Sequence, residues 1–174
     1  MTRKELAQRI YEVAYLRGDF LLRSGQRSSE YFDKYRFEAE PLLLREIARH
    51  LVPLIPRDTE ILAGLELGGV PIATAISLQT GLPLAFVRKK AKDYGTCRVA
   101  EGLDLKARKV LVVEDVITTG GQVLSSVEDL RQLGALVTHV ACVIYRGPEA
   151  ENPLEKASLV LHRLFDANEL RASQ

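Results

Sequence analysis

The sequence predicts a single α/β domain built on a central, largely parallel sheet with flanking helices. Three observations predict it. From residue 60 onward, short apolar runs such as "EILAGL", "KVLVV" and "LVTHVACVIY" alternate with amphipathic stretches. The runs are nearly continuous in Val, Ile, Leu and Ala, as in strands covered on both faces. At 174 residues and 47% hydrophobic composition, the chain suits one domain burying roughly 70% of the surface its unfolded form exposes.

Each element has a local reason. Thr2 and Glu5 form a T-x-x-E capping box, and Leu6, Ile10, Val13 and Ala14 follow at helical spacing, with Gly18 expected to close the helix. "DFLLRSGQRSSEYFDKYRF" mixes apolar and polar residues around Ser-Gly and reads as short strands or a hairpin. Pro41 opens a helix whose apolar face carries Leu44, Ile47, Ala48 and Leu51. "EILAGL" is a strand, Pro71 starts a helix that stops at Gly81, and "PLAFV" is the next strand. "KVLVV" follows, then a helix with Val123, Val127 and Leu130 on one face and Gly134 past its end. "LVTHVACVIY" and "SLVLHRL" supply the last strands. Residues 89–108 lack a clear element; so long a connection in a compact domain is often a lid.

Composition bounds the function. Cys97 and Cys142 are the only cysteines and sit in no C-x-x-C or Cys/His cluster, which points to a reducing cytosol and away from structural zinc. The charged start "MTRKELAQRI" carries no signal core, and no apolar run approaches the about 20 residues a membrane helix needs. A net charge of +1 gives no global pull toward nucleic acid or acidic lipid. Four cations nevertheless crowd into "RKKAK" at 88–92.

The chemistry concentrates in "VLVVEDVITTGG" at 110–121. In an open parallel sheet, ligands bind beyond the carboxyl ends of strands, and Glu114 and Asp115 are expected at such an end. The Thr118-Thr119-Gly120-Gly121 turn opens a helix, so unpaired N–H groups and the positive end of the macrodipole face the same place. Acids beside a phosphate cradle suit a ligand that also carries sugar hydroxyls or a divalent ion. A plain helix start with a glycine turn is the bland alternative. The stretch is neither a P-loop nor G-x-G-x-x-G.

Two further strand ends add charge chemistry. "GLELGGVP" at 64–71 offers Gly68 and Gly69 as a backbone nest for an anion, with Glu66 oddly placed unless a metal is near. In isolation, a simple glycine turn before a helix is the better reading of this stretch. "FVRKKAKDYGT" sets a cationic cluster on the long connection, where it reads as a clamp for pyrophosphate. A solvated basic loop is the usual reading of such a run. A nucleic-acid patch is disfavoured by near-neutral charge and the lack of interleaved aromatics. His50, His139 and His162 show no pairing by spacing, and Cys97 has no evident partner.

"VLVVEDVITTGG" resembles the phosphoribosyl pyrophosphate signature of type I phosphoribosyltransferases. The resemblance implies that Glu114 and Asp115 hold the ribose hydroxyls while Val116, Ile117, Thr118, Thr119, Gly120, Gly121 and Gln122 wrap the 5′-phosphate. Gly68 and Gly69 then stand in the pyrophosphate loop. "FVRKKAKDYGT" is similar to the R-K-x-x-K-x-[HY]-G loop of orotate phosphoribosyltransferases, with Arg88, Lys89, Lys92 and Tyr94 at its functional positions. Many members have histidine at Tyr94, and tyrosine carries no positive charge. Some have a lysine at Gly68, which shifts charge neutralisation here onto the basic loop and metal. "FLLRSGQRSSEYFD" resembles the orotate segment through Arg23, Tyr31 and Phe32, and "VIYRGPE" places Arg146 where the family has an arginine facing the base. Thr118 joins these as an orotate contact. The arginine fork matches paired acceptors of orotate.

From this resemblance follow the remaining expectations. They are a type I phosphoribosyltransferase fold across 1–174, an N-terminal hood for base recognition at 1–40, a core at 60–147 and a mobile lid at 88–108. The implied activity joins orotate to phosphoribosyl pyrophosphate in pyrimidine (UMP) synthesis. Lys92, Glu114 and Asp115 carry catalysis; Mg²⁺ is bound mainly through the substrate, without direct protein ligands. A cytoplasmic homodimer shares its sites across the interface, with no nucleic acid or membrane partner. Residues 150–174 add little. Two rivals stand: transfer to a purine or another pyrimidine, for which two cations around the base have less use, and a non-catalytic sensor of the activated sugar, which would need a broad basic face or added domain.

Overall fold

A computed structural model describes residues 1–21, 25–90, 99–148 and 152–173. The chain opens with helix α1 (Arg3–Ala14), whose Thr2–Glu5 capping box forms as the sequence predicts. The helix ends four residues before Gly18, which lies instead in strand β1 (Tyr15–Leu21). There the Phe20 ring packs over the glycine, 3.1 Å from where a Cβ would stand. β1 pairs antiparallel with β2 (Arg27–Phe32) as a two-stranded sheet, so the hairpin expectation holds. A short helix unseen in the sequence, α2 (Lys34–Glu38), follows at once, capped by Asp33, whose side chain accepts from the Tyr35 N–H.

The main sheet is laid down next. After α3 (Pro41–Leu51) and one 3₁₀ turn come β3 (Ile61–Leu65), α4 (Gly69–Thr80), β4 (Leu84–Val87) and the short β5 (Ala100–Glu101). Then come β6 (Lys109–Ile117), α5 (Gly121–Gln132), β7 (Leu136–Tyr145), α6 (Pro153–Lys156), β8 (Val160–Asp166) and α7 (Ala167–Ala172). Strand order is β5-β4-β3-β6-β7-β8, parallel throughout except for the β5 edge, which pairs antiparallel with β4. Pro71 falls in the first turn of α4 rather than at its start, and Gly81 ends that helix in a left-handed conformation.

The near-continuous apolar strands are explained by two cores. Leu62, Leu111 and Val113 face α1, α3 and α4, while their neighbours Ile61, Ala63, Val110 and Val112 face α5. Because strand neighbours alternate, Asp115 shares the face of Leu111 and Val113, and Glu114 that of Val110 and Val112. Residues 150–174 do more than the sequence suggests. Leu154 and Leu170 are buried, and α7 packs against α1, joined by an Arg3–Glu169 ion pair at 2.8 Å. Across β7 and β8, His139 Nδ1 meets His162 Nε2 at 2.9 Å, a pairing that spacing along the chain cannot register. Among the described residues, no helix is long and apolar enough to cross a membrane.

Candidate active site

Strand β6 does not stop before its acids. It runs through them to Ile117, because Glu114 pairs with Cys142 and Val116 with Ile144 on β7. Backbone pairing thus carries two carboxyl groups inside the sheet, where Glu114 is nearly buried and Asp115 is fully buried. The turn then forms as predicted. Thr118 and Thr119 are exposed, and Gly120 takes φ +75° as the residue before α5, a conformation side chains disfavour. No side chain caps α5, so its first N–H groups are available to an anion. Gln122 is exposed on the first turn, and its amide reaches Ser126 Oγ at 3.4 Å.

The loop after β3 closes over the acids. A Cβ on Gly68 would lie 1.7 Å from Asp115 Oδ2 and 2.9 Å from Glu38 Oε1, and one on Gly69 would lie 2.2 Å from the Val113 carbonyl. Only glycine allows this approach. The Glu66–Leu67 peptide in the same loop is cis. Glu66 needs no metal to explain it, because its Oε2 accepts the Lys89 N–H at 3.0 Å and so fastens the start of the basic stretch to the loop. Arg88, whose N–H donates to the Val99 carbonyl, turns its side chain toward Glu101, with 3.7 Å between Nε and Oε1. Lys92 and Tyr94 lie outside the described residues, as does Arg23.

Two residues that sequence reasoning missed complete the acid cluster. Lys34 and Glu38 stand four apart on α2 and so share a face. The Lys34 ammonium lies 2.7 Å from Asp115 Oδ2 and 3.0 Å from Oδ1, while the Val116 N–H donates to Oδ1 at 2.5 Å. The Glu38 carboxyl, almost buried, stands against Asp115. Burial first, then hydrogen bonding to Asp115, holds both Glu38 and Glu114 well above the ordinary carboxylate range. Burial alone would raise Asp115 too, but hydrogen bonds with Glu114, Glu38 and Lys34 outweigh it and keep that group ionised. The cluster thus favours ionisation of Asp115 over its two carboxyl neighbours, beside the Lys34 ammonium. The available signal was "DKYRFE": a capping Asp followed by Lys and Glu at i, i+4.

The end of β7 completes the cleft. The Arg146 N–H donates to the Ile117 carbonyl at 2.8 Å, which brings this arginine beside the phosphate turn, and its guanidinium lies 5.7 Å from the Phe32 ring centre. Tyr31 projects differently and stacks on Phe20 at 5.5 Å, so of the two neighbouring aromatics it is Phe32 that meets Arg146. A pocket opens here, lined by Tyr11, Tyr15, Phe32, Ile144, Arg146 and, from α7, Arg171. An aromatic wall and cations suit a planar anionic ring. Cys142, beneath the acids, is fully buried, and burial pushes its thiol up, so it offers no nucleophile.

Comparison with known proteins supplies a name for such a site. Residues 36–169 match the phosphoribosyl transferase domain. The orotate phosphoribosyltransferase of a Nocardioides species is 52% identical over 169 residues, covering 97% of this chain and 94% of that protein. The orotate phosphoribosyltransferase of Mycobacterium tuberculosis H37Rv, crystallised with Fe(III) dicitrate, superposes with a TM-score of 0.86 at 33% identity, covering 97% of this chain and 98% of the other. The same enzyme in complex with 5-phospho-α-D-ribosyl 1-diphosphate gives 0.82 at 30% identity, with the same coverage.

Proposed function

The chain belongs to the phosphoribosyltransferase family, and on that premise we propose that it is an orotate phosphoribosyltransferase. It joins orotate to phosphoribosyl pyrophosphate, giving orotidine 5′-monophosphate and pyrophosphate, a step toward UMP. The observation that carries the reading is the buried Glu114–Asp115 pair set directly before an uncapped helix turn of Thr and Gly. Acceptors for ribose hydroxyls and donors for a 5′-phosphate are thereby placed one after the other on a rigid strand.

Each group has a task. Asp115, kept ionised, accepts from a ribose hydroxyl; Glu114 assists it. The N–H groups of 118–122 and the two threonine hydroxyls hold the 5′-phosphate. Gly68 and Gly69 let the backbone approach the pyrophosphate. The pocket between Phe32 and Arg146 takes the base, with the Arg146 fork meeting the orotate carboxylate or ring oxygens; Thr118, Tyr31 and Arg23 are the further base contacts that the family resemblance implies. As pyrophosphate departs, the sugar carbon gains oxocarbenium character and the orotate ring nitrogen attacks it. The protein contributes position and charge rather than a covalent nucleophile.

Mg²⁺ would enter with the substrate, held mainly by the substrate rather than by protein ligands, and would supply charge neutralisation. The site suits such an ion through the charge of Asp115 alone: its oxygens are engaged by Lys34 and the Val116 N–H and the loop at Gly68 lies against it, so the ion would rest on the substrate's own oxygens rather than on the protein. Bound there, it would withdraw charge from the leaving group. The basic stretch of Arg88, Lys89, Lys92 and Tyr94, in the 88–108 connection, would neutralise the pyrophosphate as a lid, in a homodimer that shares its sites, as the family resemblance implies. Residues 1–40 form the hood over the base. The unpaired, buried Cys142 suits a reducing cytoplasm.

The test is direct. Purified protein is mixed with orotate, phosphoribosyl pyrophosphate and Mg²⁺, and loss of orotate absorbance is followed. Turnover is expected; consumption of a purine in place of orotate would overturn the base assignment, and binding without any turnover would favour a sensor.

A further inference from the structure

Lys34 belongs to no motif of the sequence, yet its ammonium holds the centre of the sugar site. Among the described residues it is the only cation that ion-pairs with either acid of β6. The contact joins α2 to β6 across 81 positions of sequence. The same Asp115 oxygen lies where a Gly68 side chain would begin, so no more than about 6 Å separates the ammonium from the Gly68 Cα. That loop contributes backbone but no cation. Meanwhile the Lys34 side chain is a third exposed, and its head also lies 5.3 Å from the Tyr35 ring centre, at the open side of the cluster. A flexible four-carbon stem lets such a head turn toward a more highly charged neighbour.

We propose that Lys34 is a substrate-binding residue that pairs with Asp115 while the site is empty and transfers its ammonium to the pyrophosphate of the bound activated sugar. The exchange leaves each anion with donors. Asp115 gives up a cation and receives the ribose hydroxyl donors, while the incoming phosphates receive a cation from the direction of α2. Glu38 Oε1 lies close to the same point beside Gly68 as Asp115 Oδ2, so a second carboxyl group stands next to the exchange. Asp115 therefore keeps hydrogen-bond donors before and after substrate enters, and a buried carboxylate without them would be costly. The inference rests on the phosphoribosyltransferase reading for the identity of the anion, and its test is chosen to be separable from that reading.

The experiment is calorimetric titration of inorganic pyrophosphate with Mg²⁺ into the parent protein, Lys34→Met and Lys34→Arg. Lys34→Met is expected to weaken pyrophosphate at least about tenfold, the scale of one charge-assisted contact, and Lys34→Arg to restore part of it. Should Lys34→Met strand Asp115 and fail to fold, Asp115→Asn and the Lys34→Met/Asp115→Asn double variant give the same comparison without the stranded charge. Equal pyrophosphate affinity with and without Lys34, in either pair, overturns the proposal and leaves the lysine a structural counter-ion. Loss of orotate turnover in the parent would strike the enzyme assignment instead, and the pyrophosphate titration would still decide the role of Lys34.

Discussion

Gly68→Ala puts the whole arrangement under one steric test. The new methyl would lie 1.7 Å from Asp115 Oδ2 and 2.4 Å from its Cγ, where ordinary contact begins at 3.4 Å. Loop and carboxylate must therefore part by about 1.7 Å. Asp115 has no exposed surface into which to turn and is held by the Lys34 ammonium and the Val116 N–H, so moving it breaks both contacts. Stranding one member of a buried pair costs about 3–5 kcal/mol. Lys34 is a third exposed and regains water, which reduces the figure to about 1–3 kcal/mol. For a chain of this size that lowers the melting temperature by about 2–12 °C. A displacement above 1 Å at the sugar-binding acid should also cut turnover about 100-fold. Thermal melting and steady-state rates with varied phosphoribosyl pyrophosphate measure the two effects. Parental turnover with an unchanged melting temperature would show that the loop and Asp115 do not meet as described.

Other perturbations separate the parts of the site. Asp115→Asn keeps the shape but removes the charge that receives the ribose hydroxyl, so kcat/KM for the activated sugar should fall about 10- to 150-fold; an unchanged value would remove the acid from sugar binding. Arg146→Ala should raise KM for orotate by a similar factor while leaving that for the activated sugar near its parental value, and equal effects on both substrates would displace Arg146 from the base pocket. Glu38 and Glu114 have folded pKa values above those of the unfolded chain, so the folded protein keeps protons that the unfolded chain has released. Their contribution is full below the unfolded pKa and is lost as pH rises through the folded one. Melting temperature should therefore fall from neutrality to about pH 9, above the range where His162, lowered by burial and by His139, titrates. Glu38→Gln should flatten that slope; a slope equal to the parent's would contradict a protonated Glu38.

What could be read along the chain was whatever neighbours in sequence decide. The Thr2–Glu5 box, the αL glycines Gly81 and Gly134, and the apolar faces of α3 and α5 are set by side chains one to four residues apart, and the structure keeps them. The helix predicted to reach Gly18 fails for a reason outside that range. Tyr15, Leu16 and Arg17 are drawn into pairing with Phe32, Tyr31 and Glu30, and a hairpin partner outcompetes one more helical turn. β6 likewise passes through its acids because β7 lies beside it.

The sequence by itself determined the strand–acid–threonine–glycine order, which puts sugar acceptors and phosphate donors a few residues apart, and with it the chemistry. Only the tertiary structure decided that Asp115 faces α2, that Lys34 neutralises it, and that Gly68 leaves no room between them. The physical reason is that burial makes a carboxylate depend on whichever groups the fold sets within hydrogen-bonding distance. Those groups come from segments whose separation along the chain carries no trace of their contact.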